Sequence, residues 1–159
     1  MTESKFKTLR HIEAVRNYIN FCVNRLIQCG EKHDKTKLEP PELDYFVKYT
    51  PLLKGLTYGS DEYKRILNEM RPAIEHHNKH NRHHPEHHEN GIDGMHLIDL
   101  LEMVCDWMAA SKRHNNGDIF KSLEINKDRF NISPQLYSIM KNTFFLLSVN
   151  NVEHKAEES

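Results

Sequence analysis

The chain has 159 residues, and its 22 lysines and arginines nearly balance 23 aspartates and glutamates, for a formal net charge of -1. This length suffices for one domain that buries about two thirds of the surface of its unfolded chain. Because the charges balance, the protein has no overall positive potential that would attract nucleic acid or an anionic membrane. The three cysteines lack close pairing, no signal-peptide pattern opens the chain, and no apolar run approaches the roughly 20 residues of a membrane span. We therefore expect a cytoplasmic protein without membrane contact or a strong nucleic-acid signal.

Apolar residues at helical spacing between Leu9 and Leu26 predict a first helix over about 8–29, with Gly30 as its C-terminal cap. A short helix is expected in "EPPELDYFVKYTPLL", with Pro51 as its end.

Ser60, followed by two acids, predicts the start of the next helix. Pro72 is expected to kink or restart this helix before it reaches His80. The histidine-rich stretch that follows therefore begins on a helix and leaves it near Pro85.

The second half of the sequence predicts three more helices. A long one runs from about Met95 to His114, with Asp93 as a plausible cap, and two others cover about 118–130 and 133–149.

No alternating β pattern, internal repeat or linker interrupts this series. The sequence thus predicts an all-α, single-domain bundle of about six helices over 1–150, followed by a flexible polar tail over 151–159.

Histidine is strongly clustered: seven of the twelve lie in "HHNKHNRHHPEHH" at 76–88. Such a cluster suits a metal-scavenging tract, a polar loop or part of a folded site.

The long helix carries three acids, Asp99, Glu102 and Asp106, at spacings that place them on one face. A solvated face is the simple interpretation for the first two. Asp106 stands between "MVC" and "WMAA", where an unpaired buried charge would cost several kcal/mol. A metal ion or an arginine, such as Arg10 or Arg113, would compensate it.

Three segments supply a possible ligand set: His11 beside the first apolar stripe, His33 and Asp34 in "KHDKTK", and Asp106 downstream. Two imidazoles and two carboxylates suit a divalent Mn, Fe, Co, Ni or Zn ion, and the lack of paired thiols argues against a structural zinc knot. The alternative is a charged surface turn together with an ordinary core histidine.

In that order, His11, His33, Asp34 and Asp106 resemble the metal-binding signature of the HD-domain superfamily of metal-dependent phosphohydrolases. "HDKTKL" is similar to its H-D-x-x-K stretch, with Lys37 at the lysine position, and "VCDWMAA" resembles its later aspartate helix.

A closer resemblance is to a DUF5662-like family of uncharacterised phage and bacterial proteins. Its patterns H-D-x-S-K-F-S-P-x-E-F and H-H-x-x-x-N-x-H-H correspond to "HDKTKLEPPELDYF" and "HHNKHNRHH", with Thr36 for serine and Leu38 for phenylalanine. The likeness spans about 11–106 and implies no activity by itself.

Some HD proteins bind two metals, and the resemblance implies that histidines between "HD" and the final aspartate hold the second ion, bridged by Asp34. His77 and His84 are the predicted ligands, since residues seven apart share a helical face. The choice stays open among His76, His77, His80, His83, His84 and His87.

The resemblance implies hydrolysis of a nucleotide or nucleotide-derived phosphate ester by a metal-activated water, with one or two divalent ions. The predicted catalytic residues are two phosphate-binding cations and two acids that position water or protonate the leaving oxygen: Lys37, Arg82, Glu86 and Glu102. Two alternatives stay open: a di-iron oxygenase of the same superfamily, and a non-enzymatic metal- or partner-binding protein. Sequence leaves the metal, the substrate and the oligomeric state undetermined.

Overall fold

The computed structural model describes residues 2–57, 60–113 and 117–156, with side chains up to 149. Within these ranges the chain forms seven α-helices and three short 3-10 helices and has no strand, so the predicted all-α class is confirmed with one more helix than expected. The chain divides into two compact units, 1–73 and 74–159. The single-domain boundary at 150 stays a prediction.

In the first unit, α1 spans Glu3–Lys32 and is longer at both ends than predicted. Thr2 caps it, because its side chain accepts a hydrogen bond from the Lys5 amide at 3.4 Å. Gly30 lies inside the helix, and His33 occupies the C-cap position instead.

A 3-10 turn over Lys35–Leu38 leads from α1 to α2, which spans Glu42–Leu53. Pro51 does not end α2 as predicted but lies in its last turn. A proline costs a helix the bond to the carbonyl four residues earlier, and near the C-terminus few further bonds depend on that turn.

The next two helices are α3 over Asp61–Glu69 and α4 over Arg71–His80. The Ser60 hydroxyl accepts from the Tyr63 amide at 3.2 Å, which confirms the predicted cap of α3. The predicted restart at Pro72 is also confirmed, since the chain leaves α3 at Met70 and proline fits the first turn of α4.

The second unit contains α5 over Leu97–Ser111, α6 over Ile119–Arg129 and α7 over Pro134–Ala156. The apolar faces of these helices meet in one core. Its buried members are Ile92, Met103, Val104, Met108, Ile119, Leu123, Ile132, Met140 and Phe144.

The predicted Asp93 cap of α5 is wrong, because Asp93 belongs to a separate 3-10 turn over Gly91–Gly94. His96 caps α5 instead: its Nδ1 accepts from the Asp99 amide at 3.1 Å, and the Asp99 carboxylate accepts from the His96 amide at 3.3 Å. This reciprocal pair is a capping box with histidine in the place of serine.

Asp118 caps α6 as predicted, accepting from the Phe120 amide at 2.9 Å. α7 runs on to Ala156, into the stretch predicted as a polar tail, and 157–159 lie outside the described residues. Among the residues that the structure describes, no helix is long and apolar enough to cross a bilayer.

Candidate metal centre

A tight turn after α4 folds the histidine-rich stretch back on itself. The Asn81 amide donates to the His77 carbonyl at 3.1 Å, and the His84 amide donates to the Asn81 carbonyl at 3.1 Å. Pro85 then starts a 3-10 turn over Pro85–His87. Because helical geometry stops at His80, this turn, rather than a continuing helix, decides which later histidines lie near His77.

Three histidines meet at this turn. One ring nitrogen from each of His77, His83 and His84 lies within 4.8 Å of the other two. The ring centroids are 4.8 Å apart for His77 and His84, 4.3 Å for His83 and His84, and 5.9 Å for His77 and His83. Nitrogens bound tetrahedrally at about 2.1 Å from one zinc ion lie roughly 3.4 Å apart. The three ring nitrogens would therefore have to move closer together to bind one ion.

His83 has the environment of a metal ligand. It is 2 % exposed, and its Nδ1 lies 3.2 Å from Oε1 of Glu102 on α5. A carboxylate at this distance favours a proton on Nδ1, which leaves the lone pair on Nε2. The Nε2 atom is buried, so its lone pair is directed into the protein.

His77 is also buried, but a different neighbour determines which of its ring nitrogens carries the proton. The Asn81 carboxamide nitrogen lies 2.8 Å from the His77 carbonyl oxygen and 3.0 Å from its Nδ1. In this orientation Nδ1 accepts, and the proton of the neutral ring belongs on Nε2. Coordination through Nε2 therefore requires the amide to rotate by about 180° and present its oxygen to an Nδ1–H.

The "HD" stretch of the first unit forms a second polar group. His33 ends α1, and Asp34 follows with a positive φ of 57°, a conformation that aspartate tolerates better than most residues. Lys37 Nζ lies 2.5 Å from Asp34 Oδ2, and His33 Nε2 lies 3.6 Å from Asp34 Oδ1. The turn thus brings an imidazole, a carboxylate and an ammonium group together, and their assignment as metal ligands and a phosphate-binding lysine stays a prediction.

Two contacts hold this turn against α2. Thr36 donates from its hydroxyl to Oε2 of Glu42 at 3.0 Å, and Glu42 is fully buried. The Lys37 ammonium also lies 5.5 Å from the centre of the Phe46 ring. The position that reads serine in the family pattern is therefore a hydroxyl that fixes the turn, which sequence reasoning did not foresee.

His11 does not join this group. It is exposed on α1, which runs unbroken from Glu3 to Lys32, so 22 residues of helix separate it from His33, or about 33 Å. One ion cannot bridge that distance, and the prediction that both histidines of one chain share a metal is wrong in this structure. The predicted helix was expected to end at Gly30, but glycine costs only about 1 kcal/mol inside a helix and α1 continues through it.

The acidic face of α5 is used in three different ways. Asp99 is 1 % exposed and accepts from Arg82 at 2.8 and 3.1 Å, so the solvated interpretation is wrong for this residue. Glu102 contacts His83, as described above. Asp106 is half-buried, and its assignment as a metal ligand stays a prediction.

The four predicted catalytic residues also differ in their surroundings. Arg82 is half-exposed, and the Asp99 carboxylate holds its Nε and one terminal nitrogen. Glu86 accepts from Arg129 at 2.8 Å in a surface ion pair. Lys37 and Glu102 lie beside residues of the proposed ligand set, and the catalytic role of all four stays a prediction.

The neighbouring thiol is also influenced by Glu102. Burial, and secondarily the Glu102 charge, raise the pKa of Cys105 above its usual value. Cys105 is therefore less available as a thiolate ligand than a free cysteine would be.

The "HD" turn and the clustered histidines agree with the family comparison. A model described as "Family of unknown function (DUF5662)" matches residues 1–146. The chain belongs to the DUF5662 family. No match was found among curated proteins or among solved structures. Because the function of this family is unknown, membership assigns no reaction to the shared motifs.

Proposed function

We propose that this DUF5662 protein is a metal-dependent phosphohydrolase of the HD-domain type. The observation that carries the proposal is the trio of buried His77, buried His83 and half-buried His84, together with the Glu102 carboxylate on the Nδ1 side of His83. Three neutral imidazoles with a carboxylate behind one of them are the donor set of a catalytic zinc, manganese or iron site more often than of a structural one.

The trio fits a cation on electrostatic grounds as well. Three imidazole rings packed this closely would repel one another if all three carried a charge. Neutral rings offer lone pairs, which a divalent ion binds. A bound ion with an open position would lower the pKa of water and neutralise charge on a phosphoryl oxygen.

The remaining ligands are proposed from the sequence pattern. His33, Asp34 and Asp106 match the order of ligands in HD-domain proteins, and each carries an acidic or imidazole group suited to a divalent ion. The Lys37 ammonium lies beside the Asp34 carboxylate. If Asp34 holds the ion, Lys37 would therefore be close to a phosphate oxygen of a substrate bound to that ion. A nucleotide-derived substrate and a cytoplasmic location belong to the same proposal.

The test is elemental analysis of untagged protein, followed by a screen of phosphate esters that includes nucleoside mono- and triphosphates. We expect one or two equivalents of Mn, Fe, Co, Ni or Zn and the release of inorganic phosphate. His83→Ala should lose at least one equivalent and at least tenfold in turnover. His87→Ala is the matched control, since it removes a half-buried imidazole of the same stretch that is outside the trio.

Other outcomes would contradict the proposal in distinct ways. Two irons with oxygen uptake and no phosphate release would favour an oxygenase. Metal without any reaction would favour a binding protein. Full metal content in His83→Ala would remove the trio as the site.

A further inference from the structure

The side-chain amide of Asn81 lies against His77, and the backbone determines its orientation. The amide nitrogen is 2.8 Å from the His77 carbonyl oxygen, and a carbonyl can only accept a hydrogen bond. If the amide were turned over in place, its oxygen would meet that carbonyl oxygen at a similar distance, and the two acceptors would repel each other. The orientation with the nitrogen toward the carbonyl is therefore the stable one.

This orientation determines which nitrogen of the His77 ring carries the proton. The same amide nitrogen lies 3.0 Å from Nδ1, and an amide nitrogen does not accept hydrogen bonds, so Nδ1 must supply the lone pair. The proton of the neutral ring then lies on Nε2. Asn81 thus covers one ring nitrogen and keeps a proton on the other. His77 is 3 % exposed, so water has little access to replace the amide.

We propose that Asn81 is a positioning residue that weakens metal binding at the histidine trio, because it holds His77 in a state from which neither ring nitrogen can coordinate. The inference rests on the metal site of the proposed function and adds how readily that site takes up and releases an ion. His83 differs, because the Glu102 carboxylate lies on its Nδ1 side and leaves Nε2 as a ligand. The turn therefore holds one histidine in a coordinating tautomer and another in a non-coordinating one.

The contact between Asn81 and His77 can open without leaving the His77 carbonyl unpaired. That carbonyl also accepts from the backbone amide of Asn81, at 3.1 Å. This bond remains when the side chain turns over and moves off the carbonyl, so only the side-chain bond is lost. The amide oxygen would then accept from an Nδ1–H of His77, and Nε2 would have its lone pair for an ion.

The simpler role for Asn81 is a structural one. Its backbone amide and its side chain both bond to the His77 carbonyl in the last turn of α4, and such bonds satisfy the end of a helix. If this were its whole role, substitution would loosen the turn that carries the trio and weaken metal binding. The two roles therefore predict opposite changes in metal affinity.

Competitive titration of Zn²⁺ against a chromophoric chelator measures this affinity in the untagged, full-length protein after EDTA treatment. We expect Asn81→Asp to bind Zn²⁺ at least tenfold more tightly than the natural sequence, or about 1.4 kcal/mol, since a carboxylate favours the Nδ1 proton of His77. Asn78→Asp is the matched control. It adds the same charge to α4 at about 100° around the helix from His77 and should leave the affinity close to that of the natural sequence.

The gain in affinity should also depend on His77. In a double-mutant cycle, His77→Ala should abolish the effect of Asn81→Asp. Asn81→Ala, which removes the amide without adding a charge, should bind Zn²⁺ no more weakly than the natural sequence. Circular dichroism verifies that all variants are helical.

Several results would overturn the proposal: unchanged or weaker binding in Asn81→Asp, weaker binding in Asn81→Ala, equal gains in Asn81→Asp and Asn78→Asp, a gain that survives His77→Ala, or no Zn²⁺ bound by any of these proteins. The proposed function fails in a different way. If Zn²⁺ binds as expected and no phosphate ester is hydrolysed, the role of Asn81 stands and the reaction does not.

Discussion

At the scale of single residues, two of the clustered histidines differ in which ring nitrogen their neighbours favour as the N–H. Glu102 favours the Nδ1 proton of His83 and leaves Nε2 as a ligand, whereas the Asn81 amide places the proton of His77 on Nε2. For the proposed ion, His83 would present its lone pair without rearrangement, whereas His77 would require a rotation of the neighbouring amide.

The lysine of "HDKTK" is the residue whose role is most directly testable. Lys37 is half-buried with its ammonium 2.5 Å from Asp34, whereas Lys35, in the same 3-10 turn, is exposed. We predict that Lys37→Met lowers turnover of a phosphate ester at least tenfold, or about 1.4 kcal/mol of transition-state stabilisation, because the variant keeps the aliphatic stem and loses the charge. Steady-state kinetics on the substrate found in the screen measures this.

Lys35→Met is the internal control and should retain full activity and metal content. Equal losses in the two variants, or full activity in Lys37→Met, would return Lys37 to the role of a structural partner of Asp34.

At the scale of elements, the buried Asp99 carboxylate connects the start of α5 to Arg82 in the preceding turn. Asp99 accepts two hydrogen bonds from Arg82 and one from the His96 amide, and it is 1 % exposed. The ion pair ties the turn that carries His83 to the helix that carries Glu102. The geometry of the histidine trio therefore depends on the position of α5.

We predict that Asp99→Ala lowers the free energy of unfolding by about 3 kcal/mol, because it removes the carboxylate half of the capping box and leaves Arg82 without its ion-pair partner. Urea denaturation followed by circular dichroism measures the change. Asp93→Ala, which removes an exposed aspartate just before the same helix, should change stability by no more than about 0.5 kcal/mol. Similar values for the two variants would show that the buried pair contributes little.

At the scale of the whole molecule, metal binding should be visible as stability. A ligand that binds only the folded state at 100 times its Kd stabilises it by about 2.7 kcal/mol. For a chain of this length we predict that saturating Mn²⁺ or Zn²⁺ raises Tm by about 5 to 10 °C above the value in EDTA. Differential scanning calorimetry of the untagged protein measures the shift.

His83→Ala should lose most of this shift, and His87→Ala should keep it. An equal rise in Tm for both variants would mean that the ion binds elsewhere on the chain.

Much of the fold follows from the sequence because helices are encoded locally. Ser60, Pro72 and Asp118 marked helix boundaries correctly, since a cap or a proline acts within one turn of its own position. The errors at Gly30 and Asp93 arose where a weak local signal competed with a stronger neighbour, namely the continuing α1 and the capping box of His96.

The features of the candidate site also separate into those encoded locally and those decided by tertiary structure. The residue types, the "HD" motif and the clustering of histidines at 76–88 were readable from the sequence, because they are properties of short segments. That His83 joins His77 and His84, that Asp99 is buried beneath Arg82, and that α1 keeps His11 about 33 Å from His33 were decided only in three dimensions. Those outcomes depend on where a turn directs the chain and on which distant residues exclude water from a side chain, and neither is encoded in the spacing of residues along one helix.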